Sequence, residues 1–469
     1  MTNWMRRKDI EPGNLASHHR LNRTLTWWHL IALGVGAIVG TGIYTLIGVG
    51  ANLAGPGVLL SFVAAGAICA CAALCYAEVA TMIPASGSAY TYSYVVLGEI
   101  LAWVVGWCLI LEYSLVVSAV AVGWSGYAVG FLNSFGFELP LAMTAGPHAG
   151  GILNIPAIFI IACVAGLLIL GTRESATVNA VLVVVKIVAL LVFIAVAVPH
   201  FYMSNFEPFM PYGFAKHEVD GVQRGVMAAA AIIFFAYYGF DAISTAAEEA
   251  KNPERDLPIG IVGSMIACTI LYICVAAAAV GSTTFTAFAN SPEPLAMIMR
   301  GLGQGTAAAA VGAAAIIALP TVILAFLYGQ SRIFFVMARD GLLPAGLATV
   351  NAKTGTPIRI TALTGVIVAI LAGLIPLDEI AALANAGTLA AFIAVAVCVL
   401  VMRRRDPARP RVFRTPAVWL IAPAAILGCL YLLWSLPSQT QVFFLIWNAI
   451  GLVGYIARSI FMKGTAPAV

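Results

Sequence analysis

Charge is what this chain has least of. Asp, Glu, Lys and Arg make up 9% of 469 residues, against about 25% in a soluble domain. With 62% hydrophobic residues, that scarcity excludes a soluble globular fold. The net charge of +4 says little about partners, and no nucleic-acid role is expected. Histidine is rare too. His18, His19, His29, His148, His200 and His217 fit no H-E-x-x-H pattern, so a zinc hydrolase is not expected. The nine cysteines all fall inside apolar stretches, as packing residues rather than a disulfide framework. Cys69, Cys71 and Cys75 lack a histidine companion and zinc-ligand spacing. Gly34-x-Gly36-x-x-x-Gly40 has the wrong spacing for a dinucleotide fingerprint, with no strand–helix unit around it. Rings of charge that would select ions are missing, which disfavours a channel. Residues 1–26 are polar and lack an apolar h-region, so no signal peptide is expected and the first span acts as the insertion signal. An enzyme is not expected, nor any metal or cofactor, the proton as coupling ion aside.

Long apolar runs are abundant. About 20 apolar residues cross a bilayer, and twelve such spans can be marked between residues 27 and 462. The expected fold is an all-α polytopic membrane protein with 12 transmembrane helices. Placing the N-terminus in the cytoplasm puts 20 Lys and Arg residues at the inner face and three (Lys216, Arg224, Arg300) outside, a positive-inside bias. Both termini are then cytoplasmic, in the plasma (inner) membrane. Residues 1–26 form a basic tail expected to lie against the anionic leaflet. Trp27, Trp28 and His29 open the first span as interfacial anchors.

That first span, 27–50, carries Gly34, Gly36, Gly40, Gly42, Gly48 and Gly50. Each glycine costs a helix interior roughly 1 kcal/mol relative to alanine. Close helix packing through small residues is one explanation. The other is an interrupted helix, whose freed N–H and C=O groups must face a cavity because they cannot face lipid. Such groups at mid-membrane can hold a small zwitterion, N–H groups taking the carboxylate and C=O groups the ammonium. The sixth span, 222–247, has Gly239 and Asp241 at its centre, in Phe234-Phe-Ala-Tyr-Tyr-Gly-Phe-Asp241, and suggests a second interruption. If 27–200 and 222–402 each form a five-span unit, an odd number of crossings inverts the second. Two inverted repeats, each opening with an interrupted helix, are a transporter plan. Residues 416–462 supply helices 11 and 12 outside the repeat.

Ionisable groups inside spans are functional candidates by default, since each costs about 2.5–3.5 kcal/mol at mid-helix. Glu112 lies far from either end of the third span and Lys186 about ten residues from both ends of the fifth, roughly 15 Å at helical rise, too far for easy snorkelling. Glu78, near one end of the second span, either reaches the interface or latches onto a basic partner inside. Arg403 to Arg414 read as a basic loop at the membrane surface. Asn252-Pro253 and Leu257-Pro258 read as helix ends, and Pro320 as a kink in the eighth span.

Several stretches resemble the amino acid–polyamine–organocation (APC) superfamily. They are Gly36-Ala-Ile-Val-Gly-Thr-Gly42-Ile, Tyr76-Ala-Glu78 through Pro84-Ala-Ser-Gly87-Ser-Ala-Tyr90, Phe234 through Asp241-Ala, Glu248-Glu-Ala-Lys-Asn-Pro253, and Gly329-Gln-Ser-Arg332 through Asp340-Gly341. Glu112 and Lys186 narrow the resemblance to the cationic amino acid transporter branch and its bacterial proton-coupled relatives. It implies a five-plus-five inverted repeat with helices 1 and 6 interrupted. The substrate carboxylate would sit on N–H groups of Thr41 and Gly42, near Ile38 and Gly40. The α-ammonium would meet carbonyls of Phe235, Ala236 and Tyr238, with Phe235 as a lid. Glu112 would face the distal end of the substrate. Lys186 resembles a lysine that replaces a sodium ion, and Leu319 and Thr321 would line the pocket, with Glu78, Asp241 and Thr321 in gating or structural roles. Tyr238 stands where a smaller aliphatic is common, and Pro320 is unusual.

The expected function is a secondary active transporter that imports L-amino acids, basic or small neutral, by proton symport and alternating access. Burial and nearby carbonyls act in opposite senses on the Lys186 charge, so proton gain and loss can bias helix packing. An exchanger without net proton movement is the nearest alternative, and a transporter-like amino acid sensor is one of another class. The partners are the substrate and the lipid bilayer, with a small accessory membrane subunit left open.

Overall fold

The computed structural model describes residues 6–8, 25–83, 87–170, 176–245, 250–289, 291–344, 346, 349, 351 and 357–461. Most of the basic tail, including His18, His19, Arg20 and Arg23, lies outside the described residues. So do Pro84 to Ser86, Arg173, Glu248, Glu249, Lys353 and Lys463.

The chain opens with α1 (Trp27–Ile38), α2 (Thr41–Tyr44) and α3 (Leu46–Ala54). Next come α4 (Val58–Met82), α5 (Ser88–Val96), α6 (Glu99–Asn133), α7 (Leu141–Thr144), α8 (Ile155–Ile169) and α9 (Ala176–Ala197). A small hairpin, β1 (His217–Val219) and β2 (Val222–Arg224), pairs antiparallel with Val219 opposite Val222. Then follow α10 (Val226–Ile233), a 3₁₀ turn over Phe234–Tyr237, α11 (Ala242–Thr245) and α12 (Pro253–Ser282). The remainder is α13 (Phe285–Phe288), α14 (Pro294–Gly301), α15 (Gly305–Arg339), α16 (Ile358–Leu374), α17 (Leu377–Arg405), α18 (Val418–Ser435) and α19 (Ser438–Phe461).

Among the described residues, eight helices are long and apolar enough to cross a membrane, and four apolar helices are shorter. Two of the shorter ones, Trp27–Ile38 and Val226–Tyr237, are the stumps of the spans expected to be interrupted. At α6 and α15 the reverse holds. Each runs 35 residues, about 50 Å at helical rise, longer than the roughly 30 Å hydrocarbon core. The two pack along one another, and α17 packs on α6. α4 lies against α12, and α1 against both α9 and α12. Leu, Ile, Val and Phe outside these contacts, such as Phe159, Val184, Ile270 and Leu427, stay exposed, as lipid-facing side chains do.

The fold is mostly helical, with one small hairpin at 217–224, and the sixth span begins at Val226. Other expectations need correction. Asn252-Pro253 does not end a helix. Pro253 is the first residue of α12 and Pro258 lies within it, and near a helix start the missing N–H has no partner to lose. At the far end of α17, the 403–414 loop is not all surface charge, since Arg411 is only 8% exposed. Lys8 of the tail, lastly, pairs with the protein itself. Its Nζ is 2.7 Å from an Asp340 carboxylate oxygen, and the Tyr90 hydroxyl donates to the same carboxylate at 3.0 Å.

Pro320 sits inside a continuous α15. A proline cannot donate to the carbonyl four residues back, here Ile316. The Trp124 indole of α6 donates to that Ile316 oxygen at 2.8 Å. All nine cysteines are free thiols.

Candidate functional site

The first helix breaks at Val39 and Gly40. Val39 is extended (ψ 100°), and Gly40 too is non-helical (φ −152°, ψ −149°) before the chain re-enters helix at Thr41. The second break follows the 3₁₀ turn. Tyr238 is extended (ψ 154°), and Gly239 has φ +104°, a conformation glycine adopts without steric cost. The two breaks touch. A Cβ on Gly42 would strike the Cα of Ala236, and one on Gly239 would lie 2.7 Å from the Ala37 carbonyl carbon.

Hydroxyls from neighbouring helices reach two carbonyls on either side of the first break. Tyr272 of α12 donates to Ile38 O at 2.9 Å. Tyr127 of α6 donates to Tyr44 O at 2.6 Å. The Tyr44 hydroxyl in turn donates to the Lys186 carbonyl at 2.9 Å. Thr41 is fully buried, and its hydroxyl oxygen has no hydrogen-bond partner among the described residues.

Lys186 of α9 is fully buried. Its Nζ donates to Gly36 O at 2.8 Å and to the Thr321 hydroxyl oxygen at 3.0 Å. Thr321 commits its own proton to Ala318 O at 2.7 Å, so its lone pair is what faces the amine. One side chain thus joins α1 just before its break, α9, and α15 one residue beyond Pro320.

Glu112 of α6 is 1% exposed. Its Oε2 has no hydrogen-bond partner among the described residues, while the Thr388 hydroxyl of α17 lies beside the carboxylate. Asp241, Tyr76, Tyr113 and Tyr238 are its electrostatic neighbours. Asp241 is 3% exposed, and its carbonyl accepts from the Ser244 N–H at 2.9 Å and hydroxyl at 2.5 Å. Phe235 (4%), Ala236 (0%) and Leu319 (0%) are buried as well. The Phe235 and Tyr238 rings lie 5.0 Å apart.

Glu78 does not join this group. The geometry supplies the basic partner that one of its two readings requires. The carboxylate is fully buried and takes Arg403 in a two-pronged pair, both contacts 2.8 Å. Arg411 Nε lies 3.3 Å away, and the Thr415 N–H donates at 2.8 Å.

A further buried polar group lies in the same bundle. Asn385 of α17 is fully buried. Its Nδ2 donates to Ala231 O at 2.6 Å and Ile232 O at 3.0 Å, and its Oδ1 accepts from the Tyr238 hydroxyl. A lone amide in the apolar run Ala381-Ala-Leu-Ala-Asn385-Ala-Gly387 is the same kind of signal that marked Glu112.

Two helices broken at glycine press together inside an apolar bundle, and a buried lysine reaches the first of them. A family model described as amino acid permease matches residues 25–459. The chain belongs to the amino acid permease family. The permease is 47% identical to a branched-chain amino acid permease of Bacillus subtilis (strain 168), over 94% of this chain and 93% of that protein. It is 42% identical to a methylthioribose transporter of the same organism, over 98% of both chains. A vacuolar cationic amino acid transporter of Arabidopsis thaliana is 37% identical over 87% of this chain and 68% of its own length. These relatives are named as permeases and transporters, not enzymes, and the permease is a multi-pass membrane protein.

Proposed function

We propose that this permease is a secondary active transporter that imports L-amino acids with a proton by alternating access. Twelve crossings, with 27–200 and 222–402 as inverted five-helix repeats and both termini cytoplasmic, form the frame of this reading. The substrate carboxylate rests on the N–H groups of Thr41 and Gly42, beside Ile38 and Gly40, and the ammonium on carbonyls of Phe235, Ala236 and Tyr238. Phe235 closes over the substrate, Leu319 lines the pocket, and Glu112 faces the substrate's far end. Basic and small neutral amino acids suit such a pocket. The relative named for branched-chain amino acids is similar along nearly the whole chain, which adds those side chains to the candidates.

The observation that carries the reading is the Lys186 amine between Gly36 O and the Thr321 hydroxyl. A proton gained or lost there changes the charge at the joint of α1, α9 and α15. It therefore changes the relative energy of two packings, which is what coupling requires. The test is uptake of radiolabelled amino acids into proteoliposomes. With the outside acidic, accumulation rises above the external concentration and collapses with a protonophore. Counterflow that proceeds equally with and without the gradient, and no gradient-driven accumulation, would make the protein an exchanger.

A further inference from the structure

We infer that Asn385 is a positioning residue, which sets the permease's choice among amino acid side chains by holding Tyr238 away from Glu112. The inference rests on the proposed substrate site, in which Tyr238 flanks the ammonium and Glu112 reads the far end of the substrate.

Asn385 lies in α17, which begins at Leu377, about 12 Å along the helix axis from that end. At such depth every polar group needs an internal partner. The Asn385 amide meets this with bonds before and at the second break. Before the break it donates to Ala231 O and Ile232 O, at 2.6 and 3.0 Å. At the break itself, Oδ1 accepts from the Tyr238 hydroxyl. Those two carbonyls can only accept, so the NH₂ group must face them and the amide oxygen must face Tyr238. The orientation of the amide is thereby fixed, and with it the proton of the Tyr238 hydroxyl.

Tyr238 has a second acceptor within electrostatic range. It is Glu112, which packs against Gly387 of the same α17, and the Thr388 hydroxyl lies beside both. Glu112 Oε2 is buried with no hydrogen-bond partner among the described residues. Remove the Asn385 oxygen and the tyrosine hydroxyl has a buried carboxylate to turn to. That would occupy the group that draws a guanidinium or ammonium. The backbone of α17 leaves little room for any other adjustment. Gly387, two residues on, packs against Cys108 O and Glu112 Cβ, where an added Cβ would come within 2.9 and 3.5 Å.

The experiment measures binding of arginine, lysine, alanine and leucine to purified full-length protein by thermal shift and calorimetry. Four forms are compared: wild type, Asn385→Leu, Tyr238→Phe and the double variant. Asn385→Leu is expected to shift the ranking about tenfold away from arginine and lysine, the scale of one pocket contact. Tyr238→Phe has no hydroxyl to redirect. The double variant should therefore rank the four amino acids as Tyr238→Phe does. That rescue is what a merely structural asparagine cannot produce. If Asn385→Leu binds with the wild-type ranking, the inference is wrong while the substrate site stands. If it loses all binding while the double variant does too, Asn385 is structural only. If the wild type binds none of these four amino acids, the proposed function falls and takes this inference with it.

Discussion

Gly42 rests directly on Ala236, so that any side chain at 42 would occupy the place of the Ala236 Cα. Gly239 meets Ala37 in the same way, 2.7 Å from its carbonyl carbon to an added Cβ. Each interrupted segment therefore presses a glycine onto the backbone of the other. The two breaks form one joint, and main-chain groups from both face the same small region.

Adding one methyl at this joint is a sharp test. Gly42→Ala must part the two backbones, and overpacking of this kind costs about 1–3 kcal/mol. Gly239→Ala adds conformational strain at φ +104°, roughly another 1–3 kcal/mol. Both variants should lower the melting temperature in detergent and abolish uptake. Gly301→Ala, where an added Cβ meets nothing within 4 Å, serves as the control. Full uptake by Gly42→Ala would show that the contact between the breaks is incidental.

Lys186→Met keeps most of the side chain's volume and removes the amine. Gly36 O and the Thr321 oxygen lose their shared donor. The expected outcome is that gradient-driven accumulation drops at least about tenfold, equivalent to about 1.4 kcal/mol, while counterflow persists. Proteoliposomes with an imposed pH gradient measure the first and substrate-loaded proteoliposomes the second. An unchanged response to the gradient would take Lys186 out of coupling.

Glu78 anchors two arginines unequally. Arg403 is 19% exposed at its side chain and Arg411 1%. Removing the carboxylate in Glu78→Ala leaves Arg411 charged, buried and without its acid, a change worth about 3–5 kcal/mol. Arg403→Ala removes the more hydrated partner and leaves Glu78 with Arg411 and the Thr415 N–H, so its loss is smaller. Stability should follow wild type, then Arg403→Ala, then Glu78→Ala, as read by thermal unfolding followed by tryptophan fluorescence. Equal melting temperatures for the two variants would contradict the buried-pair account.

The parts of this molecule that were legible in its sequence share a physical cause. A glycine-rich break and a charge in mid-span are costly in lipid, so Gly40, Gly239, Lys186 and Glu112 stand out from composition alone. The partners that relieve those costs are not legible. Tyr272, Tyr127 and Trp124 are ordinary aromatics in apolar helices until the fold aims a hydroxyl or indole at a carbonyl. Arg411 reads as surface charge because only the fold shows Glu78 beside it. The same holds for Pro253, whose role depends on whether the helix lies before or after it. Asn385 is legible in principle, as a single amide inside an apolar span, though a neutral amide costs less there than a charge such as Lys186 or Glu112.

Pro320 and Trp124 provide a case in which a sequence oddity and its remedy can be tested together. With proline at 320, the Ile316 carbonyl loses the main-chain N–H it would otherwise accept from, and the Trp124 indole N–H, 2.8 Å away, takes that place. Trp124→Phe keeps an aromatic ring but leaves the carbonyl without the indole donor. An unsatisfied buried group costs about 1–3 kcal/mol. In a Pro320→Ala background the helix supplies its own N–H, and the same Trp124→Phe change should cost far less. A double-mutant cycle in thermal unfolding measures the difference, with coupling of at least about 1 kcal/mol expected. Additive effects would mean that the carbonyl is satisfied some other way and that the indole is there for packing. Coupling of the expected size would also explain why α15 tolerates a proline one residue before Thr321, where any bend would carry the Lys186 contact with it.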